Sequence, residues 1–569
     1  MHGGERVAEV LRAQGIDRLF TLCGGHVSPI LTAACERDIE VVDVRDEATA
    51  VFAADATARL TGCPGVAVVT AGPGATNTIT AVKNAQLAQS PVLVIGGAAP
   101  TVLQGRGALQ DIDQMALFRP HVKLAMSARR RRDVVSAVMR CLREARADVP
   151  GPVFLELPID VLYPEELVRK WYGVSSGGAA VDAYIKQHLN NLFAGASEVE
   201  VTGTRWKEFP AVPERGLRRA AKALGQAQRP VLLVGSQALC RAGDAAALAE
   251  AVTALGMPTY LSGMARGLLG TEHPLLLRHH RRLALREADC VVLAGVPADF
   301  RLDYGRHIRR RARVLAANRC PSDLHRNRRA NVPVLADAGE FLVKLAGALE
   351  APLACDEWRQ ALRNREAERE AEIAEAATHR GEHVNAVRLC REIDALLDEH
   401  STVVADGGDF IGTAAYTVRP HGPLRWLDPG AFGTLGVGAG FALGAARLRP
   451  GDETWALFGD GALGWSLVEF DTFARHGVPV IAVVGNDGCW SQIAREQVKT
   501  LGDAVGTALA HTAYHRAVEG LGCAGLEIRH DDEIGETLAE ARRLAGEGRP
   551  VLVNALLDRS DFREGSISM

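Results

Sequence analysis

The stretch GDGALGWSLVEFDTFARHGVPVIAVVGND, residues 459–487, contains a complete strand–helix–strand pattern. The apolar run TWALF just before it and the run VPVIAVV within it have the length and composition of short buried strands. Between them, SLVEFDTFARHG predicts a helix, and Gly477 and Pro479 are the residues that terminate it. Because such crossovers are right-handed, the two strands are expected to be parallel neighbours, with Asp460 and Asp487 at the same edge of the sheet.

Strand-like and helix-like segments alternate in the same way through the rest of the 569 residues. This alternation predicts an α/β fold with three doubly wound parallel-sheet domains. The predicted divisions are a first domain (1–165), a linker with an inserted helix (166–211), a central domain (212–350), a helical linker (351–382) and a third domain that ends in a C-terminal lid (383–569).

Composition excludes several classes of protein. The net charge is −4 and the basic residues are dispersed, which argues against a nucleic-acid binder. Eleven cysteines occur without a CxxC pair, so neither a zinc site nor a disulfide framework is predicted. No apolar run reaches the ~20 residues that span a bilayer. We therefore expect a cytoplasmic protein without a membrane span.

The two aspartates at the predicted sheet edge have the chemistry of a metal site. Magnesium is usually held by one or two protein carboxylates together with phosphate oxygens and water. Asp460, Asp487 and a main-chain carbonyl just after Asp487 are therefore candidate ligands. Gly459 and Gly461 would let the backbone approach a diphosphate, which the start of the following helix also favours. Taken alone, Gly-Asp-Gly is more often a simple tight turn, and it is the second carboxylate at the next strand end that favours the metal site.

Three motifs together resemble the thiamine diphosphate-dependent enzymes, and in particular the acetolactate synthase and 2-hydroxyacyl-CoA lyase family. The first is Gly-Asp-Gly followed by the pair Asn486-Asp487, where the family usually has two asparagines. The second is VVTAGPGATNTITAVKNAQLAQSPVLVIGG at residues 68–97, and the third is PGAFGTLGVGAGFALGAA at residues 429–446. The resemblance implies that the three domains are pyrimidine-binding, central and diphosphate-binding, and that the cofactors are thiamine diphosphate and Mg²⁺.

The same resemblance assigns cofactor and metal residues. Asp460 and Asp487 are implied as side-chain ligands of the metal and Cys489 as a carbonyl ligand, while Leu435 corresponds to an apolar residue that bends the cofactor. The residues implied to contact the cofactor are Gly72, Pro73, Asn77, Gly408, Asp409, Phe410, Gly433, Leu435, Gly459, Asp460, Gly461, Ala462, Asp487 and Trp490.

Catalytic roles are implied for Glu47, His26 and Gln110. A carboxyl group on the pyrimidine ring activates the cofactor in this family, and Glu47 matches it, although an acidic residue there also suits a helix start. His26, in CGGHVSPI, matches a turn near the reacting carbon, and the alternative is a structural histidine. Gln110, in GALQDIDQ, matches a glutamine that lines the substrate cavity, or it only packs.

Two arginines of the central domain are candidates for binding a nucleotide phosphate. Arg266 and Arg301 are cations in a region that, by resemblance, holds CoA, ADP, FAD or nothing. A solvated surface explains them equally well.

Three functions are compatible with these residues. The first is a lyase that cleaves a 2-hydroxyacyl-CoA to an aldehyde and formyl-CoA, or condenses them. The second is an acetolactate synthase-like carboligase that decarboxylates pyruvate, and the third is a non-catalytic cofactor-binding subunit. The bulky Trp490 after the metal pair favours an alkyl-bearing acyl substrate and hence the lyase. The resemblance also implies a homodimer or homotetramer, because Glu47 is expected to serve a cofactor held by another subunit.

Overall fold

A computed structural model describes residues 1–173, 178–195, 201, 206, 209–350 and 353–564. The chain forms two compact units, Met1–Glu208 and Phe209–Met569. The first unit contains one sheet and the second contains two, and each of the three sheets has six parallel strands. The predicted α/β class with three parallel sheets is therefore confirmed. The exact domain boundaries stay predictions.

The sheet of the first unit has the strand order β2-β1-β3-β4-β6-β5. Numbered along the chain, its strands β1 to β6 are Arg18–Leu22, Glu40–Asp43, Gly65–Val69, Val92–Ala98, Leu124–Ser127 and Val153–Pro158. The helices of this unit, α1 to α10, are Gly3–Ala13, Ser28–Cys35, Glu47–Thr61, Pro73–Asn77, Ile79–Ala88, Gln114–Phe118, Val134–Arg146, Ile159–Leu162, Glu165–Tyr172 and Ala179–Phe193.

The central strands of this sheet are buried along their whole length. Every residue of β3, β4 and β6 is buried. Continuous apolar runs of this kind are typical of parallel strands that helices cover on both faces. The edge strand β5, with the sequence LAMS, is only half-buried, and the sequence analysis missed it.

The second unit contains the other two sheets, with the orders β12-β11-β10-β7-β8-β9 and β14-β13-β15-β16-β18-β17. Strands β7 to β12 are Pro230–Val234, Thr259–Leu261, Leu276–Leu277, Cys290–Ala294, Arg313–Asn318 and Val332–Leu335. Strands β13 to β18 are Ser401–Ala405, Trp426–Leu427, Glu453–Gly459, Val480–Asn486, Ala524–Ile528 and Val551–Leu556.

The helices of the second unit cover these sheets. In chain order, α11 to α24 are Glu214–Leu224, Ala245–Leu255, Arg281–Glu287, Pro321–Leu324, Ala338–Gly347, Asp356–Ala376, Ala386–Leu396, Asp409–Thr417, Val437–Leu448, Asp460–Leu463, Glu469–His476, Ser491–Leu501, Tyr514–Glu519 and Ile534–Gly546. None of the helices in the described ranges is both long enough and apolar enough to cross a membrane.

The strand–helix–strand unit of residues 459–487 forms as predicted. Strands β15 and β16 are parallel neighbours, with Gly459 opposite Gly485. The predicted helix begins later than its sequence pattern, at Glu469, because a short helix and turns occupy residues 460–468. Its end is correct, since Gly477 has φ +59°, a left-handed conformation that favours glycine after the last turn.

Both predicted linkers contain a helix. In the first, α10 packs Leu189, Leu192 and Phe193 into the core of the first unit. In the second, α16 buries Trp358, Leu362 and Ile373. Residues 174–177, 196–200, 202–205 and 207–208 of the first linker, residues 351–352 of the second and residues 565–569 of the predicted lid lie outside the described residues.

Candidate active site

Asp460 and Asp487 follow neighbouring strand ends, as the sequence predicts. Asp460 is the first residue of α20 and is 4% exposed. One of its carboxylate oxygens accepts a hydrogen bond from the amide of Gly461 at 2.8 Å. Its other oxygen, Oδ2, is buried and has no hydrogen-bond partner among the described residues. A buried carboxylate oxygen without a protein partner fits a site that is completed by a cation.

The electrostatics of this pair favour the same conclusion. Burial raises the pKa of Asp460 to about 6, and the Asp487 carboxylate contributes to the increase. Burial also raises the pKa of Asp487. Two buried carboxylates that disfavour each other's charge are stabilised when a divalent cation lies between them. The amide of Cys489 donates to Asp487 Oδ1 at 3.1 Å, while the Cys489 carbonyl remains a predicted ligand.

The predicted cofactor glycines lie where backbones approach closely. A Cβ on Gly459 would lie 2.6 Å from the carbonyl oxygen of Gly407, and one on Gly461 would overlap the ring of Trp490. Gly408 has φ +114° and lies against Gly459. The ends of β13 and β15 therefore meet without side chains between them, which leaves room for a diphosphate to approach the backbone.

Two other predicted cofactor residues have partners within the protein. Asp409 forms a bidentate ion pair with Arg495, with N–O distances of 3.0 and 2.7 Å. Phe410 is 4% exposed in the core of the second unit, where its ring fills the space beside Gly485. The cofactor contacts predicted for these two residues, and for Gly433 and Ala462, stay predictions.

Asp406 is a residue of this region that the sequence analysis missed. It follows β13 and is 2% exposed. Its two carboxylate oxygens accept hydrogen bonds from the amides of Gly436 and Gly438, at 2.9 and 2.8 Å. Burial raises its pKa to about 7. Asp406 thereby fixes the loop that carries Leu435, whose side chain occupies the space beside Gly407. An aspartate directly after an apolar strand was the available signal.

In the first unit, Glu47 lies at the start of α3 and is 7% exposed. Asn77 Nδ2 donates a hydrogen bond of 3.0 Å to Glu47 Oε2. A Cβ on Gly74 would lie 3.3 Å from Glu47 Oε1 and 2.7 Å from Thr70 Cγ2. Asp46, rather than Glu47, caps α3 by accepting from the amide of Ala48. The carboxyl group of Glu47 is therefore shielded and oriented, as its predicted role requires.

His26 belongs to the same neighbourhood. Its Nδ1 lies 3.2 Å from Thr70 Oγ1, and its Cβ lies against Gly97. Burial lowers the pKa of His26, so the imidazole is neutral at physiological pH. A neutral, half-buried ring is compatible with a proton acceptor and with a structural role.

Gln110 lines a cavity of about 300 Å³ in the first unit. Its backbone has φ +61°, and a Cβ on Gly72 would lie 2.7 Å from its carbonyl oxygen. Gln114 and Glu156 line the same cavity and are almost fully buried. Neither was predicted, because their importance comes from contacts between distant parts of the chain.

Arg266 and Arg301 line one cavity of about 540 Å³ in the second unit. Arg266 donates to the carbonyl of Ala415 at 2.7 Å and lies 5.0 Å above the ring of Trp426. Arg301 forms a bidentate ion pair with Asp299. The arginines that line this cavity are Arg266, Arg278, Arg281, Arg282, Arg301, Arg419 and Arg563. The structure thus brings both predicted residues to one strongly basic cavity.

Burial lowers the pKa of several of these arginines, and neighbouring arginines contribute. This holds for Arg266 beside Arg281, and for Arg281 beside Arg301. A bound anion relieves such repulsion, and guanidinium groups pair with phosphate through two parallel hydrogen bonds. The C-terminal Arg563 also lies 5.5 Å over the ring of Tyr416, a further residue of the cavity.

A histidine and two glutamates also cluster beside this cavity. Ligand atoms of His279, Glu366 and Glu370 lie within 4.8 Å of one another. Both carboxylate oxygens of Glu366 accept hydrogen bonds from backbone amides, one from that of Arg278 and one from that of His279. Glu370 is 2.9 Å from His279 Nε2. These bonds attach α16 to the loop after β9, which is a structural role.

Family models of the thiamine pyrophosphate enzymes match three parts of the chain. The N-terminal thiamine pyrophosphate binding domain matches residues 1–117, the central domain residues 217–345 and the C-terminal thiamine pyrophosphate binding domain residues 406–555. The first and last matches include Glu47 and the Asp460–Asp487 pair, respectively. The chain belongs to the thiamine pyrophosphate enzyme family.

Within this family, individual relatives are similar over the whole chain. 2-Hydroxyacyl-CoA lyase 2 of Bos taurus is 50% identical over 582 residues, which cover 100% of this chain and 92% of that protein. The protein of the same name from Homo sapiens is 49% identical over 580 residues, with 100% and 92% covered. Acetolactate synthase large subunit IlvG of Mycobacterium tuberculosis is 34% identical over 562 residues, with 98% and 96% covered. The resemblance to this family is therefore confirmed.

Proposed function

We propose that this protein is a thiamine diphosphate- and magnesium-dependent lyase that cleaves a 2-hydroxyacyl-CoA to an aldehyde and formyl-CoA, or joins the two in reverse. One observation carries the proposal. The buried pair Asp460 and Asp487, in which one Asp460 oxygen has no hydrogen-bond partner among the residues that the structure describes, lies in a chain about 50% identical over its whole length to relatives named 2-hydroxyacyl-CoA lyase 2. The pair also argues against a non-catalytic subunit.

The residues of the second unit would hold the cofactor through its metal. Asp460 and Asp487 supply carboxylate oxygens to Mg²⁺, and the glycine backbones at 408, 459 and 461 leave room for the diphosphate. When bound, thiamine diphosphate supplies a carbon nucleophile and an electron sink for carbon–carbon bond cleavage. Asp406 and Leu435 fix the shape of the adjacent loop.

The residues of the first unit would move protons. The Glu47 carboxyl, which accepts a hydrogen bond from Asn77, would share a proton with the pyrimidine ring of the cofactor. His26, neutral and bonded to Thr70, is a candidate acceptor for a substrate proton. Gln110, at its cavity, is a candidate to orient a substrate oxygen.

The basic cavity around Arg266 and Arg301 would bind the nucleotide part of the acyl-CoA. Its seven arginines provide positive charge that attracts phosphate groups, although Arg301 and others among them also pair with acidic residues of the protein. ADP or FAD has the same phosphate chemistry, so either is a competing occupant. A calorimetric titration with CoA, ADP and FAD separately distinguishes the three.

The chain is proposed to act as a homodimer or homotetramer in the cytoplasm. The support is the family resemblance, which implies that Glu47 serves a cofactor in another subunit. Light scattering at assay concentration tests the oligomeric state, because an active monomer would contradict it. Fluorescence microscopy of the tagged protein, with fractionation, tests the cytoplasmic location.

The second candidate function is acetolactate synthesis from pyruvate. It is supported by the 34% identity to the acetolactate synthase large subunit. Product analysis by mass spectrometry, with 2-hydroxyacyl-CoA and pyruvate offered separately, tests both. Formyl-CoA and aldehyde from the thioester are expected to exceed acetolactate from pyruvate. Acetolactate without formyl-CoA from any 2-hydroxyacyl-CoA would overturn the lyase proposal.

A further inference from the structure

The side chain of Gln114 joins three neighbouring strands of the first sheet. Gln114 is the first residue of α6 and is 2% exposed. Its Oε1 accepts a hydrogen bond of 3.2 Å from the amide of Gly72, which follows β3. Its Nε2 donates 3.0 Å bonds to the carbonyl of Gly97 in β4 and to Glu156 Oε2 in β6. One amide thus ties together the carboxyl ends of β3, β4 and β6.

The chemistry of these contacts requires an amide at this position. The Gly97 carbonyl and the Glu156 carboxylate can only accept, so the amide nitrogen must face both of them. The Gly72 amide can only donate, so the amide oxygen must face it. A carboxylate at position 114 would face Glu156 with like charge, and an apolar side chain would remove the hydrogen bonds that Gln114 makes to three polar groups.

Gly72 connects this amide to the proposed catalytic residues. It has φ +61° and precedes α4, and α4 ends at Asn77, whose side chain holds Glu47. On its other side, Gly72 packs against the backbone of Gln110. Any shift of the Gly72 turn therefore moves the group that orients Glu47 and the segment that carries Gln110.

We propose that Gln114, held by Glu156, is a positioning residue that fixes the Gly72 turn and, through it, the orientation of Glu47 and Gln110. The inference rests on the proposed function, because Glu47 and Gln110 are catalytic only if that function is correct. Among the described residues, the side-chain hydrogen bonds of Gln114 go to Gly72, Gly97 and Glu156 rather than to Glu47 or Gln110. Its role is to keep the backbone between residues 72 and 77 in one conformation.

The test uses the whole protein with four variants. Gln114→Met keeps the length of the side chain and removes its hydrogen bonds, and Gln114→Glu introduces the like charge. The double variant Gln114→Glu/Glu156→Gln restores a donor–acceptor pair between positions 114 and 156, while the Gly97 carbonyl still lacks the donor that Gln114 supplies. Asn84→Ala is the matched control, because Asn84 is another fully buried amide of the first unit bonded to a buried carboxylate, that of Asp55.

Three measurements separate positioning from stability. Hydrogen exchange of residues 70–78 in the cofactor-free protein reports on the turn, the Tm reports on stability, and kcat and KM report on the reaction. Gln114→Met and Gln114→Glu are expected to accelerate exchange in this segment and to lower kcat between about 10- and 100-fold, with KM changed less than about threefold. Asn84→Ala is expected to lower the Tm without either effect.

Rescue is the decisive outcome. The double variant is expected to recover part of the kcat lost in Gln114→Glu, with exchange in residues 70–78 slowed again. Exchange and kcat equal to wild type in Gln114→Met, or losses in Asn84→Ala that match those of Gln114→Met at equal Tm, would overturn the proposal. A Glu47→Gln variant with full activity would refute the proposed role of Glu47, and the exchange data would still decide whether Gln114 holds the turn.

Discussion

Asp460 and Asp487 extend from the ends of two parallel strands that are neighbours in the sheet, and the charge of Asp487 contributes to raising the pKa of Asp460. In isolation this arrangement is unfavourable, since burial disfavours both charges. It becomes favourable when a divalent cation is bound. The free energy of the folded protein is therefore expected to depend on whether a cation occupies this pair.

Replacing Asp460 by alanine is expected to abolish retention of thiamine diphosphate and Mg²⁺. The change removes the buried oxygen that has no hydrogen-bond partner in the described part of the chain, and it leaves the diphosphate poorly neutralised. Isothermal titration calorimetry measures the effect, with Asp503→Ala as an exposed control on the same unit. Undiminished binding by the Asp460 variant would contradict the metal site.

Replacing Glu47 by glutamine is expected to leave the cofactor bound. Exchange of the proton on C2 of its thiazolium ring is expected to slow by orders of magnitude. The amide keeps the size of the side chain but cannot share a proton with the pyrimidine ring. Proton NMR of the bound cofactor measures exchange, and Glu36→Gln, an exposed acid of the same unit, is the control. A wild-type exchange rate would reject the assignment.

Asp406 is expected to make stability fall as pH rises. Burial raises its pKa to about 7 in the folded protein, above the ordinary value of 3.8, so the folded state binds more protons than the unfolded state between these values. The stabilising contribution is present below about pH 4 and is lost as pH rises through about 7. Thermal melts measure the Tm of Asp406→Asn and of wild type at pH 5 and pH 8. The Tm of the variant relative to wild type should be higher at pH 8 than at pH 5. An unchanged difference in Tm between the two pH values would show that Asp406 does not titrate there.

Replacing Arg301 by alanine is expected to raise KM for 2-hydroxyacyl-CoA by roughly 10- to 100-fold, because a charged hydrogen bond to phosphate contributes about 1.5–3 kcal/mol. The same acyl group on pantetheine, which lacks the nucleotide, should show no such change. Arg218→Ala is the control, since Arg218 is exposed and forms an ion pair with Glu214 on its own helix. Equal losses for both substrates would place the nucleotide elsewhere.

The sequence predicted those features that follow from strand ends. Parallel strands bring Asp460 and Asp487 together, and Glu47 and Asn77 were both implied by motif, although their hydrogen bond was not. Gln114 and Asp406 could not be found in this way, because each acts through backbone amides or carbonyls that lie far away in the chain. The short strand β5 was missed because LAMS contains no extended apolar run.

A side chain added at position 461 would overlap the ring of Trp490, and this has a consequence for protein engineering. The indole occupies the volume that any side chain at 461 would need. Substitutions at 461 are therefore expected to be tolerated only together with a smaller residue at 490. A library that randomises only Gly461 should yield almost no folded, loaded enzyme. A library that pairs Gly461→Ala with small residues at 490 should recover it, and would at the same time open space beside the backbone of residues 459–461.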